Sequence, residues 1–518
     1  MTPGAPITAV EVELARRRRW RRWIVAAVVL VVLVALVVLW VVAGAALRLT
    51  DESTPRFDDP VEHFMHGSIG AEPASGLPYK LWAVLPDLFP EAFEGRPDYT
   101  AFGFLYDTDD PDQGDLPIGI SRRRAFGVEV VWFNCAVCHT GTYRLDAEAE
   151  PVIVPGMPSN NLDLYGFVAF LLDIADDPRL ATEPVLTAIE ASGQSLGLLE
   201  RVFWTNVVLP QVREGLLFRQ VRLGPLLAEQ PAWGPGRVDT FNPYKVVSLV
   251  PPIRPLTEDE AVGAADFPSI FLQGPRAGMS LHWDGNNPSL AERNLSAALG
   301  AGVTPETVDH AAIERVADWL LTLPPPPSPI ETDDALAVEG RALYMDHCAA
   351  CHGYLAEDGT YRFEGEHLGQ VEPIDRIGTD PGRLDSYTPA FRERQLSDLF
   401  AGTPYHFRHF VKTDGYANHP LDGLWLRAPY LHNGSVPTLA DLLLPPHERP
   451  VAFVRGFDVV DQDRGGFVAP PCDPDGTAPA EGFCFDTRLP GNGSQGHVYG
   501  TTLSEAERSA LLAYLLRF

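Results

Sequence analysis

Asp and Glu outnumber Lys and Arg by 69 to 40 over the 518 residues, a formal net charge of −29. That surplus of acid excludes nucleic acid as an expected partner, because phosphate binding needs clustered cations. With 45 Gly and 48 Pro the chain reads as loop-rich, and its length predicts two or more domains.

The first 50 residues carry the opposite bias. Arg16, Arg17, Arg18, Arg19, Arg21 and Arg22 precede Trp23–Leu47, a stretch without charge that is rich in Val, Leu and Ala. Such a run exceeds the about 20 apolar residues that a bilayer core requires, and the Arg flank predicts a cytoplasmic tail. Ala43-Gly44-Ala45 resembles a signal-peptidase site, yet signal sequences carry apolar runs of only about 7–15 residues. The expectation is an uncleaved single-pass transmembrane anchor over residues 1–50, with the membrane as a partner. The remaining chain is then placed at the cell membrane on its periplasmic or extracytoplasmic side.

Beyond the anchor the first chemical signal is Cys135-Ala136-Val137-Cys138-His139, and the second is Cys348-Ala349-Ala350-Cys351-His352. C-x-x-C-H is the attachment word for c-type haem. Its two thiols bind the macrocycle and its His becomes the proximal iron ligand. C-x-x-C pairs also hold Zn²⁺, but a His directly after both pairs favours two covalent haems. A helix is predicted from Thr304 as N-cap and Pro305 at its first position through Val308, Ala311, Val316 and Leu320. Pro324–Pro327, Ser328 and Pro329 interrupt regular structure. After them Thr332 or Asp333 caps a helix whose stripe is Leu336, Gly340, Leu343, Tyr344 and His347 and which runs into the second haem word. Cys472 and Cys484 bracket an acidic Pro/Gly-rich loop and are expected to form a disulfide in an oxidising compartment. Within it Asp473-Pro474-Asp475-Gly476 carries part of a Ca²⁺ ligand pattern but not the full series. The chain closes on a helix with Ser504 and Glu507 as a capping box and Leu511, Leu512, Leu515 and Leu516 as its apolar face. No repeat beyond the haem word is legible. The organisation expected is 51–330 for an N-terminal haem domain and 331–518 for a C-terminal cytochrome c domain. The fold class expected is mainly α, two cytochrome-c-like haem domains on an N-terminal transmembrane helix.

Three stretches resemble the bacterial dihaem cytochrome c peroxidase superfamily, which includes the haem-type rubber oxygenases. They are Pro268-Ser269-Ile270-Phe271 with Leu281-His282-Trp283-Asp284-Gly285-Asn286, then Leu426-Arg427-Ala428-Pro429-Tyr430-Leu431-His432-Asn433-Gly434-Ser435, and the paired haem words on either side of the W-D-G segment. The resemblance implies an active-site haem first and an electron-transfer haem second. Where the peroxidases carry an inter-haem Trp this chain has Phe271, and where they carry a Gln it has Leu281. Their O–O-cleaving acid falls at Ala291, with Glu292 beside it. Peroxide cleavage needs a group that moves a proton, which neither Phe nor Ala supplies. These departures, with Gly67-Ser68-Ile69-Gly70-Ala71-Glu72 and Asn134, resemble the rubber-oxygenase branch more closely.

The same departures bear on iron ligation. No His lies between His139 and His282, so the first haem is expected to have an open sixth position. Leu431 replaces the family's distal Met on the second haem, and His432 and His497 are the candidate replacements. Arg237 and Arg427 are candidate partners of haem propionates. Trp233 and Phe241 are candidate pocket residues beside Phe271, Leu281, His282, Trp283 and Ala291. His63 and His66 read as structural, and Tyr143 and Tyr165 as weak distal candidates. The function expected is a dihaem oxidoreductase that activates H₂O₂ or O₂ at the first haem. Its electrons would come from a small redox protein or a quinol-linked source. The alternatives are an oxygenase that cleaves an organic substrate and an electron carrier without a substrate.

Overall fold

The computed structural model describes residues 8–49, 52–107, 116–249 and 256–518. Helices make up 42% and strands 12% of it. The chain divides into two compact units, one of residues up to Ser53 with Arg124–Glu129, the other of Thr54–Arg123 with Val130–Phe518.

The first unit is dominated by the helix Ala9–Leu49. The expected transmembrane anchor is overturned. Among the described residues no helix is long and apolar enough to cross a membrane. The Arg cluster occupies the early turns of this helix. Residues 1–7 of the expected tail lie outside the described residues.

The second unit holds both haem words. Short helices alternate with small sheets, mostly two-stranded antiparallel pairs. Among these pairs, Arg237–Asp239 lies against Ala264–Asp266, and Val371–Pro373 against Gly415–Ala417. Asp333 caps the helix Asp334–His347 by accepting from the Leu336 backbone N–H at 3.0 Å. Its buried face is Ala337, Gly340 and Tyr344, whereas Leu336 and His347, placed on the stripe by sequence, are exposed. The last helix, Glu505–Leu515, has the capping box expected at Ser504 and Glu507. The two helices cross where Gly340 lies against the backbone of Ala510: a Cβ on Gly340 would stand 1.9 Å from the Ala510 carbonyl oxygen. Tyr344 fills the crossing with ring contacts to Tyr514 at 5.2 Å and Phe518 at 5.1 Å.

The predicted 304–320 helix begins later, at His310. Asp309, not Thr304, supplies the N-cap through the Ala312 N–H at 3.0 Å, and Thr304–Thr307 form a turn. The proline-rich segment is packed rather than free. The Trp425 indole donates to the Pro326 carbonyl at 3.1 Å, and the Ser328 hydroxyl donates to the Leu516 carbonyl.

Candidate haem-binding sites

Asn134 sets the first haem word. Its side-chain oxygen accepts from the Ala136 N–H at 2.9 Å, starting the short helix Ala136–His139, while its amide donates to the Gly67 carbonyl at 3.0 Å. The Gly67–Glu72 segment singled out in the sequence is therefore tied directly to this word. Glu72 is buried and accepts from the Ser68 and Ser121 hydroxyls at 2.8 and 2.6 Å. Burial pushes the Cys135 thiol up to about 11 and the Cys138 thiol up to about 12. His139 Nδ1 lies 2.9 Å from the Pro268 carbonyl, so the neutral ring donates there and keeps Nε2 free for a metal. Burial, with Arg293 adding to it, holds His139 down to about 4, the neutral form that a ligand requires.

The second word repeats this arrangement. Cys348 ends the helix Asp334–His347, Ala349–His352 forms a single turn, and His352 Nδ1 lies 2.7 Å from the His419 carbonyl. The Tyr361 hydroxyl donates to the His352 carbonyl, and Tyr344 donates to Gly353 at 2.8 Å. Across from His352 stands His497, with 6.3 Å between ring centroids. Two metal–nitrogen bonds of about 2.0 Å, plus about 1.1 Å from each ring centre to its nitrogen, give about 6.2 Å for imidazoles sharing one ion. His497 Nδ1 is buried without a hydrogen-bond partner. Its backbone is held with φ at +44°, and its N–H donates to Ile377 at 2.8 Å. Arg449 fixes the loop: its guanidinium donates to the carbonyls of Ser494, Gly496 and His497 at 2.6, 2.9 and 3.1 Å and to Leu442 and Leu444 at 3.2 Å.

His432, the other candidate distal ligand, lies elsewhere. Its ring stacks on Tyr416 at 3.9 Å, and its carbonyl accepts from the Asp266 N–H at 2.9 Å. That contact belongs to a repeat invisible in the sequence. The loops Leu281–Asn287 and Tyr430–Val436 are built alike. Leu281 bridges Asn287 and Tyr430 bridges Val436. His282 and Leu431 share a positive φ of 63° and 68°, and Gly285 and Gly434 follow three residues later at 65° and 62°. Each loop supports the opposite haem word. The Trp283 carbonyl accepts from Ala417, two residues before His419, at 2.8 Å, as His432 accepts from Asp266, two residues before Pro268. Gly434 has no room for a side chain, because a Cβ would stand 2.3 Å from an Asp266 carboxylate oxygen.

The remaining candidates divide. Phe271 is fully buried in the core that joins Val154 and Met157, near the first word, to Tyr344 and Ala349, near the second. Leu281 is buried in its loop. His282 Nδ1 meets the Asn286 side-chain oxygen at 2.6 Å, and its carbonyl accepts from His419 Nε2 at 2.9 Å. Ala291 is exposed. Glu292 is turned to the 408–409 backbone, whose N–H groups it accepts at 2.9 and 3.1 Å, and to His409 Nδ1 at 2.6 Å. Trp233 donates to Gln230 at 2.7 Å and packs on Tyr165, whose hydroxyl is spent on Leu227 at 2.9 Å. Phe241 packs on Tyr387 and Phe391 under Arg383. Arg237 donates to Trp233, Ala264, Gly491 and Asn492, and its Nε stays buried without a hydrogen-bond partner, 3.8 Å from an Asp266 carboxylate oxygen. Arg427 binds Asp422 and Pro420, and its Nε stays buried without a partner. His63 is buried with neither ring nitrogen hydrogen-bonded, and His66 is buried on the same helix, Pro60–His66. Tyr143 packs edge-on against Trp425 at 4.8 Å.

Cys472 and Cys484 form a disulfide. In the loop between them the Asp475 carboxylate pairs with Arg488 at 3.3 Å. Among the described residues no group of three or more His, Cys, Asp or Glu is placed to hold a bare metal ion.

Sequence reasoning missed Pro268, His419, Arg449 and Arg293. The first three act through backbone carbonyls or on them, which leaves no side-chain signature. Arg293 sits on the helix Leu290–Gly300, where Ala298 packs in one cluster with Cys135. Its Nε is buried without a partner, and burial holds its charge down to about 10. Orphaned polar atoms collect around both words: Thr140 Oγ1, Ser269 Oγ and Arg293 Nε near the first, His497 Nδ1 and Arg427 Nε near the second. The residues present fit a haem at each word, with His139 and His352 as proximal ligands.

A family model described as RoxA-like, cytochrome c-like matches residues 415–454, the stretch from the strand before His419 through the Tyr430–Val436 loop. The chain is also 32% identical over 235 residues to an uncharacterized protein, y4iM, of Sinorhizobium fredii, covering 43% of this chain and 52% of that one. It is 32% identical over 240 residues to a second uncharacterized protein of that organism, y4iJ, covering 35% and 39%. The chain thus spans about half or less of the length of the curated relatives it matches.

Proposed function

We propose that this cytochrome c-like chain is a dihaem oxidoreductase of the rubber-oxygenase-like kind. The first haem is held by Cys135, Cys138 and His139, the second by Cys348, Cys351, His352 and His497. The observation that carries the reading is the contrast between the two words. His352 faces a second imidazole at 6.3 Å, whereas no ring contact pairs His139 with another imidazole among the described residues. A haem with two imidazoles is an electron-transfer centre, and one with an open position binds and activates O₂ or H₂O₂.

The protein's own contribution at the first site is positional. Pro268 orients His139, Asn134 and Gly67 fix the motif, and Phe64, Met65, Ile270, Val316 and Leu320 form an apolar cluster beside Cys135. Glu292 is engaged by the 408–409 backbone, so no carboxylate from the 291–292 position is offered for proton transfer to peroxide. That favours cleavage of an apolar organic substrate by O₂ over peroxidase turnover. The disulfide suits an oxidising compartment. The acidic surplus of the chain suits a small basic redox protein as electron source, with a quinol-linked donor as the alternative.

The test is a carbon monoxide titration of the dithionite-reduced holoprotein. Binding of one CO per two haems supports one open and one closed iron. No CO uptake leaves an electron carrier, and uptake by both haems removes the assigned division of labour. Oxygen consumption with an unsaturated hydrocarbon, set against peroxide consumption with a reduced cytochrome, then separates the oxygenase from the peroxidase.

A further inference from the structure

Trp283 touches the supports of both proximal histidines. Its indole N–H donates to the Asp266 carbonyl at 2.8 Å, two residues before Pro268, which accepts from His139. Its own carbonyl accepts from Ala417 at 2.8 Å, two residues before His419, which accepts from His352. Its ring meets the His419 ring edge to face, 5.7 Å between centroids and 83° between planes. The equivalent residue of the other loop, His432, also meets both segments, its carbonyl accepting from the Asp266 N–H and its ring stacking on Tyr416, but the ring it meets is not that of His419. At this position of the first loop a large, oxidisable, polarisable ring stands between the two histidine supports.

We infer that Trp283 is the electronic bridge between the two haems, an inference that rests on the dihaem reading. The route runs from His352 through the His419 carbonyl and ring, across to the Trp283 indole, through its N–H to the Asp266 carbonyl, and along Phe267 and Pro268 to His139. Every break in the covalent chain is a hydrogen bond of 2.7–2.9 Å or one ring contact. With a haem held at each word, the route would carry one electron from the haem held by His352 to the haem held by His139, the first oxidised by the one electron that reduces the second. No bond is made or broken and no proton is displaced. Phe271, where the peroxidase likeness expects the bridging ring, follows Pro268 by three residues, but its ring carries no polar group and its carbonyl accepts from Arg276 at 3.1 Å rather than from the His419 side.

The experiment is electron redistribution in the all-ferric holoprotein after a sub-stoichiometric pulse of methyl viologen radical, followed at wavelengths that separate the two haems. Trp283→Phe keeps an aromatic ring and removes the N–H, Trp283→Leu removes the ring, and Phe271→Leu tests the apolar route. Haem content and both reduction potentials are measured on each protein. The inter-haem rate should fall by an order of magnitude or more in Trp283→Leu and by less in Trp283→Phe. Potentials should hold, and Phe271→Leu should leave the rate unchanged. An unchanged rate in Trp283→Phe and Trp283→Leu with two haems in place, or a fall confined to Phe271→Leu, overturns the assignment. Fewer than two haems in the unsubstituted protein would refute the dihaem reading instead, so the two failures are distinct.

Discussion

Replacing Gly340 with Ala tests whether the crossing of the Asp334–His347 and Glu505–Leu515 helices holds the second haem word in place. Helix propensity alone would make this change stabilising by about 1 kcal/mol. The geometry opposes it. The new Cβ would stand 1.9 Å from the Ala510 carbonyl oxygen and 2.5 Å from its carbon, where ordinary contact begins at 3.4 Å. The backbones must therefore part by about 1.5 Å, the difference between 3.4 and 1.9 Å. A gap of even 0.5–1 Å forfeits about a quarter to a half of the dispersion energy of the atoms facing it. Here those atoms include Tyr344, Tyr514 and Phe518. Overpacking of this kind costs about 1–3 kcal/mol; a backbone contact of 1.9 Å places this site at the upper end, so with the propensity gain of about 1 kcal/mol deducted a net loss of about 2 kcal/mol is expected. For a cooperative unit of about 150–250 residues that lowers Tm by about 4–8 °C. Thermal melts of the holoprotein followed by far-ultraviolet circular dichroism and by Soret absorbance measure it. An unchanged or raised Tm would show that the helices slide freely at Gly340 and would refute the reasoning.

Asp266→Asn should destabilise by about 3–5 kcal/mol in denaturant titrations, because it leaves Arg455 and Arg237, both buried, without the carboxylate that lies 3.0 and 3.8 Å away. A loss below about 1 kcal/mol would mean that backbone carbonyls already satisfy both cations. Glu72 is raised above the ordinary carboxylate value by burial, against the pull of its Ser121 and Ser68 hydrogen bonds. The stability it contributes is therefore full below its unfolded pKa and is lost as pH rises through its folded one. Glu72→Gln should flatten that loss between acid and neutral pH, and parallel stability profiles for the two proteins would refute it. Cys472→Ser with Cys484→Ser should cost about 3 kcal/mol, the entropy of a loop closed over a separation of 12 residues, while a stability equal to the parent's would mean the hairpin Ala452–Arg455 with Phe483–Asp486 closes that loop unaided.

The chemistry of the chain was legible where it resides in side-chain words. The two C-x-x-C-H motifs, the Ser504–Glu507 cap and the disulfide have signatures of residue type and spacing, whereas His497 came forward, beside His432, only because Leu431 stands where the resemblance places a distal Met. What was hidden is made of backbone. Pro268 and His419 orient the two proximal rings through carbonyls that any residue owns. The kinship of Leu281–Asn287 with Tyr430–Val436 rests on two positive φ angles and a bridge rather than on shared letters, which is why no repeat was expected. Glu292 looked like a displaced catalytic acid because it stands next to Ala291, but only its partners at 408–409 show where it points. The transmembrane expectation rested on the apolar run from Trp23 onward, and among the described residues no helix is long and apolar enough to cross a membrane.

The central claim is that His497 and His352 share the second iron while His139 keeps an open one. Electron paramagnetic resonance of the ferric holoprotein, beside a His497→Ala variant, tests it most directly. One low-spin signal of an imidazole pair and one high-spin signal are expected in the parent, with the low-spin signal converted to high-spin in the variant and the other untouched. A low-spin signal that survives in His497→Ala would contradict the claim.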